Sequence, residues 1–360
     1  MYSLIRPLLF ASDPEFVHHA TIGLLERVGR NRTTRNALSA LFELRDPRLA
    51  VEAFGLSFPN PVGLAAGMDK DGRALPAWQS LGFGFTEVGS VTATAQEGNP
   101  PPRLFRIPAD EAIINRMGFN NQGAEALAER VQALRDEQVL RTPLLVNVGK
   151  SRSAPLAAAA ADYRRCLGLI WPVADGAVIN VSSPNTPGLR SLQEPSALAA
   201  LLEVCDELQT GREMPVLLKL APDLEDGQLE KIVELAGSHR VAGLVAVNTT
   251  IARTGLSRDS DEAGGLSGRP LAPRALSVLR FLASRTDLPI VSVGGIFDAT
   301  DAIARLRAGA SLVELYTGFV YGGPGTVRAI LRGLLRHLDL AGVPNVQALI
   351  GIDRFRSAGH

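Results

Sequence analysis

Residues 46–345 are predicted to fold as an α/β protein, a (β/α)8 TIM barrel, with a small helical membrane-associating extension in front (1–45) and a C-terminal tail behind (346–360). Three observations predict it. Eight short apolar runs lie between residues 61 and 317, and Ala/Leu-rich stretches of helical periodicity, such as GAEALAERVQALRDE and SALAALLEVCDELQ, separate most of them. Eight strands each followed by a helix is the number that closes a parallel barrel of about 250 residues. The competing open, doubly wound sheet would carry Gly-x-Gly-x-x-Gly after its first strand, and that fingerprint is absent.

The extension opens with MYSLIRPLLF, interrupted by Arg6 and Pro7 and without a small-residue cleavage site, which argues against a secretory signal. No apolar run approaches the ~18 residues of a membrane-spanning helix. DPEFVHHATIGLLERVGR follows, with Asp13 placed to cap a helix, Pro14 in its first turn, and Phe16, Val17, Ala20, Leu24, Leu25 and Val28 on one face. Arg27, Arg30, Arg32 and Arg35 come with no acid among them. The pattern suits a helix lying on an anionic membrane surface, and it equally suits one packed on the barrel.

The barrel strands are expected at 61–66, 85–90, 143–149, 176–181, 215–220, 243–248, 289–295 and 312–317. Chemistry in such barrels gathers at the C-terminal strand ends. Here those ends offer Lys70, Ser90, Asn147, Lys150, Asn180, Ser183, Lys219, Asn248, Thr249, Gly294, Gly295, Tyr316 and Thr317. Only four of the 37 basic residues are lysine, and three of those four stand on this rim. None of the five histidines is there, and the carboxylates show no metal-ligand spacing, so His-based acid/base chemistry is disfavoured and no metal is expected. Amides, hydroxyls and ammonium groups suit a flat, heteroatom-rich cofactor that carries the hard chemistry itself. GGLSG (264–268), VGGIFDA (293–299) and YTGFVYGGPG (316–325) place glycine-rich backbone where barrels hold phosphate.

Composition narrows the rest. Basic and acidic residues number 37 each, so no global charge points to nucleic acid. Cys166 and Cys205 form no Cys-x-x-Cys pair, which speaks against a cluster, a structural zinc or a disulfide scaffold.

The segments GLAAGMDKDG (63–72), EGNPPPRLFR (97–106), INRMGFNNQG (114–123), NVGKS (147–151), INVSSPNTPGLR (179–190), LKLAPD (218–223), VNTT (247–250), GGLSGRPL (264–271) and LYTGF (315–319) together resemble the dihydroorotate dehydrogenase family, specifically its membrane-associated, quinone-reducing class 2. The resemblance implies oxidation of (S)-dihydroorotate to orotate through FMN, with a membrane quinone as acceptor, in UMP biosynthesis. Ser183 matches the class 2 serine that takes the C5 proton. Lys70, Asn115, Arg116, Met117, Gly118, Phe119, Asn180, Asn185, Asn248 and Thr249 match pyrimidine-holding positions. Ala66, Gly67, Lys70, Ser90, Asn147, Asn180, Lys219, Val247, Gly268, Gly295, Tyr316 and Thr317 match FMN-holding ones, with Lys219 answering negative charge on the reduced ring. Ser90 and Val247 depart from relatives that have threonine there. His18 and Arg106 would sit near the quinone head, Tyr316 close by, and the apolar face of the extension would line the tunnel for its tail. A monomer peripheral to the cytoplasmic face of the cell membrane is implied. A flavin-free sugar-phosphate enzyme and a non-catalytic flavin-binding scaffold are the competing readings.

Overall fold

The computed structural model describes residues 2–354. Three helices come first, α1 (Tyr2–Ala11), α2 (Pro14–Arg30) and α3 (Arg32–Phe42). Helix α1 carries Pro7 in its middle, a residue that locally disfavours a helix interior. Contacts to the barrel override that local preference: Tyr2 Oη donates to the Val320 carbonyl at 2.6 Å, and Arg106 donates to that of Leu9 at 2.8 Å. Helix α2 starts as expected, the Asp13 carboxylate accepting the Phe16 N–H at 2.8 Å. Its expected apolar face divides. Leu25 and Val28 are partly buried, whereas Phe16 and Leu24 face outward with Leu4, Ile5, Leu8 and Leu41, each more than half exposed. The four arginines do not form a free basic stripe either. Arg30 pairs with Glu26 at 2.6 Å, and Arg35 donates to the Gly29 carbonyl at the end of α2.

A hairpin of β1 (Val51–Ala53) and β2 (Leu56–Phe58) closes one end of the barrel, Phe58 packing edge-on against Phe85 with ring centres 5.3 Å apart. There follow β3 (Val62–Leu64), α4 (Leu75–Ser80), β4 (Phe85–Val91), β5 (Leu104–Ile107), β6 (Ala112–Asn115), α5 (Ala124–Asp136), β7 (Leu144–Val148), α6 (Ala159–Ile170) and β8 (Gly176–Asn180). Then come α7 (Pro195–Gln209), β9 (Val216–Leu220), α8 (Asp226–Ser238), β10 (Val241–Ala246), β11 (Gly265–Gly268), α9 (Ala272–Ala283), β12 (Ile290–Val293), α10 (Ala299–Arg307) and β13 (Ala310–Leu315). Short α11 (Thr317–Gly322), long α12 (Thr326–Ala341) and α13 (Val346–Leu349) end the chain's described part. Within the stretch expected as a tail, Val346 and Leu349 are fully buried, and 355–360 lie outside the described residues.

Strands β3, β4, β7, β8, β9, β10, β12 and β13 close a parallel barrel, each matching one of the eight apolar runs to within about two residues. Their inward positions alternate with period two. Phe85, Leu145, Val178, Leu217, Val245 and Val291 form an apolar plug; two residues further along the same strands stand Glu87, Asn147, Asn180, Lys219, Val247 and Val293. The plug is dry core, and the layer above it is mostly polar. Over the strand ends lies an antiparallel sheet, β11-β6-β5, built from the excursions after β4 and β10.

The extension is pinned to this body by part-buried charge pairs. Arg103 meets Glu15 of α2 at 2.7 Å and also donates to the carbonyls of Glu97 and Asn99, both at 2.6 Å. Arg73 meets Glu26 at 2.5 Å.

Candidate active site

At the C-terminal strand ends a cavity encloses about 1010 Å3 of empty space, its open mouth included. Ala66, Gly67 and Lys70 line it after β3, Ser90 from β4, Asn115, Met117, Gly118 and Phe119 from the end of β6, and Asn180, Ser183 and Asn185 from β8. Lys219, Val247, Asn248, Thr249, Gly268, Gly295, Tyr316 and Thr317 complete the wall. Five expected residues are not on it. Asn147 lies just beneath, fully buried. Arg116 turns away: its guanidinium pairs with Glu262 at 2.6 Å and lies 4.5 Å from the Phe105 ring centre. Arg106 is spent on the carbonyls of Leu9 and Ser12, over the Phe10 ring. His18, part-buried on α2, has its imidazole pushed down to about 3 by burial and then by the charge of Lys70, so it is neutral. Lys150, read as a rim residue, clasps its own loop through the carbonyls of Ser151 and Ala154.

The amides form one mesh. Asn180 Nδ2 donates to Ser90 Oγ at 2.9 Å and to Asn147 Oδ1 at 3.1 Å, and Ser90 Oγ donates to the same Asn147 oxygen. Asn180 Oδ1 accepts from the Ser182 N–H at 3.2 Å and from Asn248 Nδ2 at 3.4 Å. Across the cavity, Asn185 Nδ2 donates to the carbonyl and side-chain oxygens of Asn115, both at 3.1 Å. Asn99, held by Arg103, donates to the Arg116 carbonyl at 2.9 Å and to that of Asn185 at 3.2 Å. Such a mesh fixes rotamers, so the remaining lone pairs and N–H groups face the cavity already oriented. Ser183, 6% exposed, sits on the loop after β8, its Oγ accepting the Asn185 N–H at 3.3 Å. No histidine or carboxylate hydrogen-bonds it among the described residues.

Sequence reasoning missed the carboxylates beneath. Lys219 Nζ lies 2.9 Å from Glu87 and 3.9 Å from Glu314, all three essentially buried. Burial alone would depress Lys219, but its carboxyl surroundings, Glu87 foremost, outweigh it and hold the ammonium above the ordinary lysine range. Burial would likewise raise Glu87, and Lys219 reverses the sign. Lys70 has no such carboxylate contact among the described residues, and burial pushes it down to about 8.

At the far wall the backbone itself is the lining. Gly268 (φ 99°) and Gly295 (φ 72°) adopt left-handed conformations, and a Cβ would come within 2.2 Å of the Glu111 carbonyl oxygen at the first and 2.4 Å of Ala272 Cβ at the second. Arg305, 3% exposed, ties this wall together from behind, donating to the carbonyls of Gly294 at 2.8 Å and Ala272 at 2.9 Å. The bare backbone and the cation behind it suit an anionic group such as phosphate.

Comparison with known proteins agrees with this geometry. Residues 48–338 match the family model described as dihydroorotate dehydrogenase. The dihydroorotate dehydrogenase (quinone) of Thermus thermophilus is 54% identical over 343 residues, covering 95% of this chain and 98% of that protein. That of Gloeobacter violaceus is 48% identical over 355 residues, 98% of both. The crystal structure of Eimeria tenella DHODH with ferulenol superposes with a TM-score of 0.89 at 36% identity, covering 98% of this chain and 99% of that one. A barrel with a polar layer at its strand ends, a preceding helical extension and near-full-length similarity to quinone-type enzymes place the chain in the dihydroorotate dehydrogenase family, in its quinone class.

Proposed function

We propose that the chain oxidises dihydroorotate to orotate with FMN as its cofactor and a membrane quinone as the final acceptor, a step of pyrimidine biosynthesis. One observation carries the reading: amides, two lysines and Ser183, a serine without an adjoining base, converge on one cavity whose far wall is bare glycine backbone. FMN, when bound, supplies the ring that takes hydride from the substrate C6. Its phosphate fits the glycine wall backed by Arg305, and Ser90, Asn180 and Lys219 present polar atoms for the ring heteroatoms.

The chain's own groups then do the following. Asn115, Asn185 and Asn248 offer paired donors and acceptors, the complement of a pyrimidine edge of alternating carbonyl and N–H. Lys70 answers the substrate carboxylate. Ser183 receives the C5 proton at Oγ while giving up its hydroxyl proton to water, because an alcohol without a neighbouring base cannot retain a second proton. Lys219 would supply fixed positive charge to answer negative charge on a bound flavin, and the Glu87 pairing keeps it ionised.

No helix among the described residues is long and apolar enough to cross a membrane. Among the described residues, six of the ten large apolar side chains exposed at the surface fall within the first 42 positions, which supports peripheral seating of α1–α3 on a bilayer, where a quinone is drawn from lipid. That seating belongs on the cytoplasmic face. Anaerobic mixing with dihydroorotate should bleach the flavin, and added quinone should restore its colour. A yellow protein that dihydroorotate leaves oxidised would defeat the proposal.

A further inference from the structure

The floor of the cavity holds a group that the reaction above leaves unused. Glu314 on β13 lines the cavity at 1% exposure, and neither of its carboxyl oxygens receives a hydrogen bond from any N–H or O–H among the described residues. An ionised carboxylate left so would bear its desolvation cost with no compensating bond. The charged groups facing it are Glu87 from β4 and Lys219 from β9; the strands flanking β13, β3 and β12, carry none. Lys219 is committed to Glu87, with contacts of 2.9 and 3.1 Å, and stands 3.9 Å from Glu314. Glu87 receives a further bond from Asn147 Nδ2 at 2.5 Å. Two carboxylates around one ammonium would leave an excess negative charge in the barrel interior. The Glu87 and Glu314 carboxyls lie within hydrogen-bond reach of each other, yet with both ionised neither has a proton to donate.

We propose that Glu314 carries a proton at neutral pH and donates it to Glu87, acting as a positioning residue that keeps the cavity floor electrically neutral and leaves the Lys219 charge available to the cavity. The single proton gives one of the orphaned oxygens a partner, leaves the other as an uncharged carbonyl, and settles the charge count, as in other closely spaced carboxyl pairs. Burial and the neighbouring Glu87 charge push the Glu314 carboxyl well above the usual carboxylate range, in the same direction. The protonation itself rests on this chain alone; its consequence for the cofactor rests on the flavin reading.

Infrared spectroscopy of the full-length protein, stripped of flavin and near neutral pH, tests it first. Wild type should show a protonated-carboxyl stretch, sensitive to deuterium, that disappears in Glu314→Gln. The same stretch should disappear in Glu87→Gln, where Glu314 is freed to ionise against Lys219. With flavin restored, the near-isosteric and neutral Glu314→Gln should keep the flavin midpoint potential of wild type, whereas Glu314→Ala, which cannot reach Glu87, should weaken flavin retention. A wild-type spectrum without a band assignable to Glu314 overturns the proposal. So does a raised potential in Glu314→Gln, the signature of a negative charge removed. Failure of every form to bind flavin would sink the cofactor reading and leave the infrared result standing.

Discussion

Replacing Ser183 by alanine separates the chemistry of the site from its architecture. The Ser183 hydroxyl has one protein partner, the Asn185 N–H at 3.3 Å, a distance at the weak end of the N–H···O range. Losing it should cost about 0.5–1.5 kcal/mol of stability at most. The loop keeps its other ties, Arg190 to the Ser182 carbonyl at 3.1 Å and Arg190 to Asp223 at 2.9 Å, so substrate and flavin should bind much as before. Removing a general base, by contrast, slows a reaction by roughly 10²–10⁴-fold, equivalent to about 2.7–5.5 kcal/mol at the barrier. The two ranges do not overlap, so the sizes of the effects discriminate. Anaerobic stopped-flow bleaching of the flavin by dihydroorotate reads the rate, and the absorbance before mixing reads flavin content. A variant with full flavin that bleaches within roughly threefold of wild type would show that the C5 proton leaves by another route. Ser183→Cys adds a second arm: a thiol of pKa ~8.5 should restore part of the rate with the optimum moved to higher pH.

Other predictions use the same geometry. Lys70, held near 8 by burial, is charged below that pH and neutral above it, so its pull on the substrate carboxylate is present at lower pH and lost as pH rises through about 8; the KM for dihydroorotate should climb there, and Lys70→Gln should flatten the climb. Lys219→Met strands Glu87 in the barrel and should destabilise the protein by roughly 3–5 kcal/mol in urea titrations, much of it recovered when Glu87→Gln is added; equal losses in single and double variants would mean that the pair is not coupled. Changing Leu4, Leu8, Phe16 and Leu24 to glutamine should lower binding to vesicles and turnover of long-tailed quinone, yet leave flavin bleaching by dihydroorotate unchanged; undiminished vesicle binding would remove those side chains from the membrane face.

The barrel was readable because its strands are buried on both faces and so appear as unbroken apolar runs, and the site was readable because polar residues stop those runs. Other features had no such signature. Strands β5, β6 and β11 are four residues each and sit among prolines and glycines, where a loop reads the same way. Glu87 and Glu314 each look like a flaw in an apolar run, and the ammonium that explains Glu87 lies 132 residues away in sequence. Their signal was parity: both fall on the inward phase of their strands. Arg116 shows the opposite limit, since a motif can place a backbone at a cavity while its side chain serves a neighbouring sheet.

The clasp at Arg103 bears on how this enzyme could be engineered for work without lipid. Trimming the helical extension would look like the obvious route to a freely soluble catalyst, but Glu15 belongs to that extension, and Arg103 holds Asn99, which in turn holds the loop carrying Asn185. Cutting the helices away would therefore take from Arg103 its carboxylate partner and leave it only the carbonyls of Glu97 and Asn99, loosening the contact that reaches Asn185. The safer alteration is to repaint the outward leucines and keep the helices, since the exposed apolar side chains of α2 and the Glu15 that steadies Asn99 through Arg103 belong to one piece.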